Sequence, residues 1–381
     1  MGQRLLPHTI LQLCTAESDN SQLLAEISKA GGTGYRTLLC YLSGGKNDEN
    51  EIHGVVADTI LLGLNKSQVK WKRLGTLRAV ARVIDDNNVD LLVCQYRRAI
   101  SIGILAARLS RRKPQVVGVL HGIVGGKIGV ARKLFNFLFY RLMACLVSVS
   151  SSQVDDILAM NWRLDKNKIR VIDNGIDFTP YISAQRRDKA EVLGEQYRDT
   201  FVFGTVGRLR EVKNHDRMIR AFARAGRDQP HWRLVIAGKG PRKEALEALV
   251  RNLGLESKVE LLGFHDDIPT LLQAIDVYVM PSLREGFGLA LLEAMASGLP
   301  VITSNCSGMK DIVANTPCGQ LVDPTDTDDL ATAFQRMATS SAAQLAEMGE
   351  AARQRALENF SAARMIRDYE ELYREILTGH G

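Results

Sequence analysis

Short apolar runs alternate with helix-patterned stretches along this chain, and the whole alternation occurs twice. That recurrence constrains the fold more than any other feature. In the first half, Thr9–Leu13, Thr37–Leu42, Leu91–Cys94, Val116–Leu120, Cys145–Val149 and Ile169–Ile172 read as strands. Gln22–Lys29, Leu74–Ile84 and Ala99–Leu109 read as helices. Apolar runs without polar alternation suit strands covered on both faces. Strands alternating with helices imply βαβ units and a parallel sheet. The polar stretch Tyr181–Arg198 reads as a linker. The pattern then restarts with strands at Phe201–Val206, Arg233–Ala237, Val259–Leu262, Val277–Met280 and Pro300–Thr303. Helices at Arg217–Arg224 and Lys243–Asn252 lie among them, and a charged helix, Ala362–Leu377, ends the chain. The expected fold is therefore α/β, with two Rossmann-like, doubly wound parallel-sheet domains over residues 1–180 and 181–360. A length of 381 residues accommodates both. Two such domains facing each other create a cleft at the carboxyl ends of their strands, where ligands of open α/β sheets bind.

Charge is unevenly placed. Met1–Asn174 carries 24 Lys/Arg against 14 Asp/Glu, and the rest carries 25 against 29. Leu91–Val154 holds ten basic residues and no acidic one. A solvated basic face explains this, and so does a surface that meets anionic lipid or an anionic acceptor. No nucleic-acid-binding motif is present, so a nucleic-acid partner is not expected. Lys127–Met143 mixes basic residues with aromatics in a pattern suited to an interfacial helix. The alternative is that Phe135, Leu138 and Leu142 pack on the sheet. Leu134–Val149, the longest apolar stretch, is interrupted by Arg141 and falls short of the roughly 20 residues of a membrane span. The N-terminus lacks the form of a signal peptide. The expectation is a cytoplasmic protein, with attachment to the inner face of the cytoplasmic membrane as an option. The six cysteines are scattered, without metal-ligand spacing, and read as small buried hydrophobes of a reducing compartment.

The sharpest chemical signal is Pro281–Val301, PSLREGFGLALLEAMASGLPV. Glu285 falls in a loop after a strand. Glu293 falls eight positions later, in a helix that begins near Gly288. Gly286 and Gly288 permit close approach of backbone to a ligand. The first amides of that helix favour anions, phosphate above all. The carboxylates of Glu285 and Glu293 accept hydrogen bonds from hydroxyls. A second signal, GRLREVKN over Gly207–Asn214, follows the first strand of the second domain. A forked guanidinium at Arg208 and a point charge at Lys213 suit a diphosphate. A third, IAGKGP over Ile236–Pro241, is a glycine-containing turn after another strand.

These segments, in this order, resemble the retaining glycosyltransferases of family 4, which have the GT-B fold. Glu285 and Glu293 match the family's E-x7-E motif, and NGID at Asn174–Asp177 matches at the domain junction. The resemblance covers most of the chain and is strongest from Asn174 to Val322. It implies that Arg208 and Lys213 bind the diphosphate of a nucleotide-sugar donor, while Glu285 contacts the transferred sugar. Phe287, Gly288 and Leu289 would offer backbone to sugar and phosphate, and Glu293 would hold the ribose. Gly207 belongs to the same donor-binding turn, and Gly238 and the Phe264–His265 turn would lie along the nucleoside. His121, in LHG after a first-domain strand, matches the family's active-site histidine. The terminal helix, within residues 361–381, would cross back to the first domain.

Two departures stand out. The family's Gly-Gly loop after the first strand is replaced by CTAESDNSQ, and Gly31, Gly32 and Gly34 come too late to supply it. Glu17 or Ser18 are the candidates to line the cleft there. Asp311 stands where the family tends to have glutamate. No Asp-x-Asp lies in the loop context of metal-dependent enzymes, and Asp326–Asp328 reads as a helix cap. The expected reaction needs no metal and no cofactor. It moves a sugar, with retention, from a nucleotide-diphosphate sugar to a glycan or lipid-linked acceptor of a surface polysaccharide such as lipopolysaccharide. The alternatives are a sugar-nucleotide epimerase on the same fold and a catalytically silent sugar-nucleotide-binding subunit.

Overall fold

A computed structural model of the chain describes residues 8–16, 21–30, 34–44, 56–65, 67–70, 72–122, 129–161, 164–306 and 308–379. Glu17, Ser18, Gly31, Gly32 and Lys127 lie outside these. The chain divides into two compact units. One comprises Met1–Gly175 with Ala362–Gly381, and the other Ile176–Ser361.

Among the described residues the first unit has seven strands: β1 His8–Ala16, β2 Tyr35–Ser43, β3 Asp58–Leu61, β4 Val89–Gln95, β5 Gln115–Leu120, β6 Cys145–Ser148 and β7 Ile169–Val171. They lie in the order β3-β2-β1-β4-β5-β6-β7, every pairing parallel. The order reverses between β1 and β4, which makes that point the natural crevice of a doubly wound sheet. The central strands are buried on both faces, hence their unbroken apolar sequence. Edge strand β3 is half-exposed along its length, and DTIL gives too weak an apolar signal to read as a strand from sequence. The final helix, Ala362–Thr378, belongs to this unit. Met365, Tyr369, Leu372 and Tyr373 are buried, and burying Met365 and Leu372 is worth roughly 1.5–3 kcal/mol each against leaving them exposed. Arg364 donates to the carbonyl of Asp173, and Arg170 pairs with Glu375.

The second unit has six parallel strands: β8 Phe201–Val206, β9 Trp232–Ala237, β10 Val259–Gly263, β11 Val277–Met280, β12 Val301–Ser304 and β13 Gly319–Val322. Their order is β10-β9-β8-β11-β12-β13, again reversing at the first strand of the unit. Edge strand β13, with a glycine and a glutamine among four residues, is another that local sequence does not reveal. Phe203, Phe222, Trp232 and Phe334 form the centre of this core through edge-to-face contacts. The stretch Tyr181–Arg198 is ordered rather than a bare linker: it holds helical turns at Lys189–Leu193 and Glu195–Tyr197 and buries Tyr181 and Tyr197. Asp326 caps the helix Thr327–Thr339 by accepting from the amides of Asp328 and Asp329. Five cysteines are buried and Cys306 is half-buried, and no disulfide forms.

Candidate functional site

The loops that leave β8, β9, β10 and β11 share one sheet edge in the second unit, because those strands are neighbours. The loop after β8 carries Gly207, Arg208 and Lys213. It is tied to the loop after β9 by Gly207 N–H donating to the Ala237 carbonyl (2.9 Å) and Leu209 N–H donating to the Lys239 carbonyl (3.0 Å). Gly238 sits at φ +147°, and a Cβ there would come within 1.9 Å of the Gly207 carbonyl oxygen. Only glycine permits this approach. The Gly238 amide in turn donates to the Gly263 carbonyl (2.6 Å), so three loops are stitched by backbone alone.

The loop after β11 is fixed to the loop after β8. Leu283 N–H donates to the Val212 carbonyl (2.8 Å), and the Asn214 side-chain amide donates to the Pro281 carbonyl (3.0 Å). Asn214 is itself left-handed at φ +61°, a conformation that asparagine tolerates. These ties bring together the two charged residues that the motifs place 72 positions apart. The Lys213 ammonium lies 2.6 Å from Glu285 Oε2, and Ser282 Oγ lies 3.5 Å from the same oxygen. Arg208, on the same loop as Lys213, is exposed. Behind the loop, a Cβ on Gly308 would meet the Gly286 carbonyl oxygen at 2.6 Å, at φ +82°, so this wall too is closely fitted backbone.

Gly288 caps the helix Leu289–Ala296, whose sequence LALLEAMA is apolar on nearly every face. A helix apolar all round belongs in the interior. Glu293 is its only charged residue. Burial pushes the Glu293 carboxyl above its ordinary value, opposed by a hydrogen bond with Tyr181. Tyr278, fully buried on β11, donates to the Val206 carbonyl (3.2 Å), and burial, with the negative charge of Glu293 adding to it, raises its phenol. The Phe287 side chain is core, edge-to-face on Phe360 at 5.6 Å, so only its backbone can meet a ligand. Leu289 is half-buried at the helix start. Phe264 is 60% exposed after β10, with the Lys239 ammonium 4.5 Å over its ring. His265 follows it, half-buried.

The second unit thus carries Gly207, Arg208, Lys213, Gly238, Phe264, Glu285, Phe287 and Gly288 on loops of one edge, with Leu289 and Glu293 in the helix that follows the last of them. His121 belongs to the first unit, directly after β5. Sequence reasoning missed Tyr181, an aromatic inside a polar stretch whose spacing signals nothing, and Asn214, whose side chain holds the loop. Chemically, the edge offers cations and helix amides for an anion and carboxylates for hydroxyl groups. An exposed aromatic completes it as a stacking surface for a flat ring.

Residues 26–179 match the family described as Glycosyltransferase Family 4, and residues 187–355 match Glycosyl transferases group 1. The UDP-Gal:alpha-D-GlcNAc-diphosphoundecaprenol alpha-1,3-galactosyltransferase of Escherichia coli is 29% identical over 311 residues, 79% of each chain. The N-acetyl-alpha-D-glucosaminyl L-malate synthase of Bacillus anthracis is 27% identical over 303 residues, 78% of each chain. The crystal structure of Anabaena HepE in complex with UDP-glucose superposes with a TM-score of 0.81 at 21% identity, covering 96% of this chain and 99% of that one. That likeness is one of fold.

Proposed function

Because the chain belongs to the family 4, group 1 glycosyltransferases, we propose that it moves a sugar, with retention and without a metal, from a nucleoside-diphosphate sugar. The single observation that carries this reading is the Lys213–Glu285 pair on the loops after β8 and β11, with Arg208 exposed on the first of these loops. In the reaction, the bond from the sugar's anomeric carbon to the diphosphate oxygen breaks, and the electron pair leaves with the diphosphate. Arg208, Lys213 and the amides at the start of Leu289–Ala296 stabilise that developing charge, which is where preorganised dipoles act most strongly. The acceptor hydroxyl forms the new bond on the same face, and its proton passes to the departing phosphate oxygen. Glu285 accepts hydrogen bonds from hydroxyls of the sugar, and Glu293 from those of the ribose. Gly207, Gly238 and Phe264 line the nucleoside, and the backbones of Phe287, Gly288 and Leu289 line the sugar and phosphate. His121, on the first unit, is the remaining catalytic candidate.

Thermal-shift measurements with UDP, GDP, dTDP and ADP and their sugars, without metal, test the donor site, since binding to the folded state alone raises the melting temperature. UDP-sugars come first, given the donor in the name of the E. coli relative. Retention is tested by the anomeric configuration of the product. A β-linked product from an α-linked donor overturns it.

The acceptor we infer is a glycan or lipid-linked saccharide of the cell surface, in lipopolysaccharide or a related polysaccharide. Support comes from the lipid-diphosphate acceptor named for the E. coli relative and from the surface of the first unit. Phe135 packs inward there, but Val130, Leu134, Leu138 and Leu142 form an exposed apolar ridge, with Arg141 exposed beside it. No helix among the described residues is long and apolar enough to cross a membrane. The ridge suits attachment to the inner face of the cytoplasmic membrane. Sedimentation with anionic and with neutral vesicles tests it, and equal recovery in both supernatants counts against attachment.

A further inference from the structure

Gln12 stands in the middle of β1, wholly buried, where the neighbouring residues are apolar. A buried amide persists in such a place only with its hydrogen bonds made. Its partners form a chain across the first unit. Gln12 Nε2 donates to the Tyr373 hydroxyl on the last helix (3.2 Å). Gln95 Nε2 donates to Gln12 Oε1 (2.8 Å). Gln95 Oε1 then faces His121 Nε2 at 2.6 Å. Strand register puts all three side chains on one face. Gln12 pairs with Val93, two residues before Gln95, and Gln95 pairs with Val119, two residues before His121. The relay therefore crosses β1, β4 and β5 at the point where the strand order reverses.

The relay has a direction. A carbonyl oxygen carries no proton, so the bond between Gln95 Oε1 and His121 Nε2 needs the proton on the histidine. Neutral imidazole has one N–H, which leaves Nδ1 as a bare acceptor. That atom is buried and has no hydrogen-bond partner among the described residues. The opposite direction would require both glutamine amides to be turned over from the orientation the structure holds. The Tyr96 ring packs against the imidazole at 4.7 Å, and Tyr96 itself is held at φ +67°, a strained angle for a bulky residue. Burial also lowers the His121 pKa to about 4, so the ring stays neutral at ordinary pH.

We infer that Gln95 is a positioning residue for sugar transfer: held in place by Gln12, it locks the His121 ring as the Nε2–H tautomer and leaves Nδ1 the unprotonated nitrogen. The role rests on the proposed place of His121 in the site; the tautomer does not. The test uses the full chain labelled with 15N-histidine, with His121 assigned from the spectrum of a His121→Asn protein. Long-range proton–nitrogen correlations at pH 7.5 are expected to show one neutral species protonated on Nε2. In Gln95→Leu a mixture of tautomers is expected, with kcat/KM down about tenfold, the size of one hydrogen bond. Gln95→Met keeps the length of the side chain without the amide and is expected to yield a mixture as well, so it carries the test should Gln95→Leu fail to fold. A wild-type His121 protonated on Nδ1 overturns the inference, as does a single Nε2–H species surviving in both variants. Full transfer by His121→Asn would overturn the role of Gln95 in the reaction. The spectrum separates that result from a failure of the relay.

Discussion

Lys213 and Glu285 face each other at 2.6 Å across two loops of the second unit, each about one-fifth exposed. Neither loop would hold its charge in place alone. The backbone tie from Leu283 to Val212 and the Asn214 side chain fix the approach. The ammonium has three donors and gives one to the carboxylate, so two remain for a phosphate. Lys213→Ala is therefore expected to lower kcat by roughly 10²–10³, the cost of removing one preorganised charge-stabilising donor. Its melting temperature should change little, because a partly exposed pair contributes little to stability. Steady-state kinetics beside a melting curve checks both, and wild-type kcat would remove Lys213 from the reaction.

Glu293 tests a different balance. Its folded pKa is raised by burial. The folded state then holds the proton more tightly than the unfolded one, so stability declines as pH rises from the unfolded value toward the folded one. Glu293→Gln is expected to raise the melting temperature of the ligand-free protein at neutral pH, by roughly 2–4 °C for each kcal/mol gained. Nucleotide affinity should fall at least tenfold through loss of a charge-assisted bond to the ribose. A variant that binds as tightly as wild type sinks the ribose assignment.

His215, at the first position of the helix His215–Gly226, is 3% exposed, and its pKa is lowered to about 4. Burial is the main cause, and the nearby Lys213 charge adds to it. Here the unfolded state binds the proton more readily between pH 6.5 and 4. Stability should fall as pH drops through that window, by at most about 1.4 kcal/mol per unit from this residue. Urea unfolding across the window is expected to show a shallower decline in His215→Gln.

Gly238→Ala places a Cβ against the Gly207 carbonyl at 1.9 Å. The strained angle alone costs about 1–3 kcal/mol, and relief requires the two loops to part. Nucleotide affinity should drop. Native-state hydrogen exchange would show new opening confined to residues near Gly207 and Gly238.

Transfer is expected to withstand EDTA, because Arg208, Lys213 and the helix amides supply the charge that a metal would otherwise provide. Loss of activity that Mg²⁺ restores would overturn metal independence.

The sequence alone determined the α/β class and the two sheets, and its motifs and family resemblance nominated Arg208, Lys213, Glu285 and Glu293 for the site. These are written in local periodicity and short spacing, which nearest neighbours along the chain suffice to express. It left the edge strands β3 and β13 unmarked, because half-exposed strands lack the apolar run that identifies a buried one. Only tertiary structure decided which side chains meet. Lys213 finds Glu285 across 72 residues, Tyr181 rises from a polar stretch to Glu293, and Gln12 reaches Tyr373 across 361. Strand order and register set those meetings, and a hydrogen bond depends on distance in space, which no local pattern encodes.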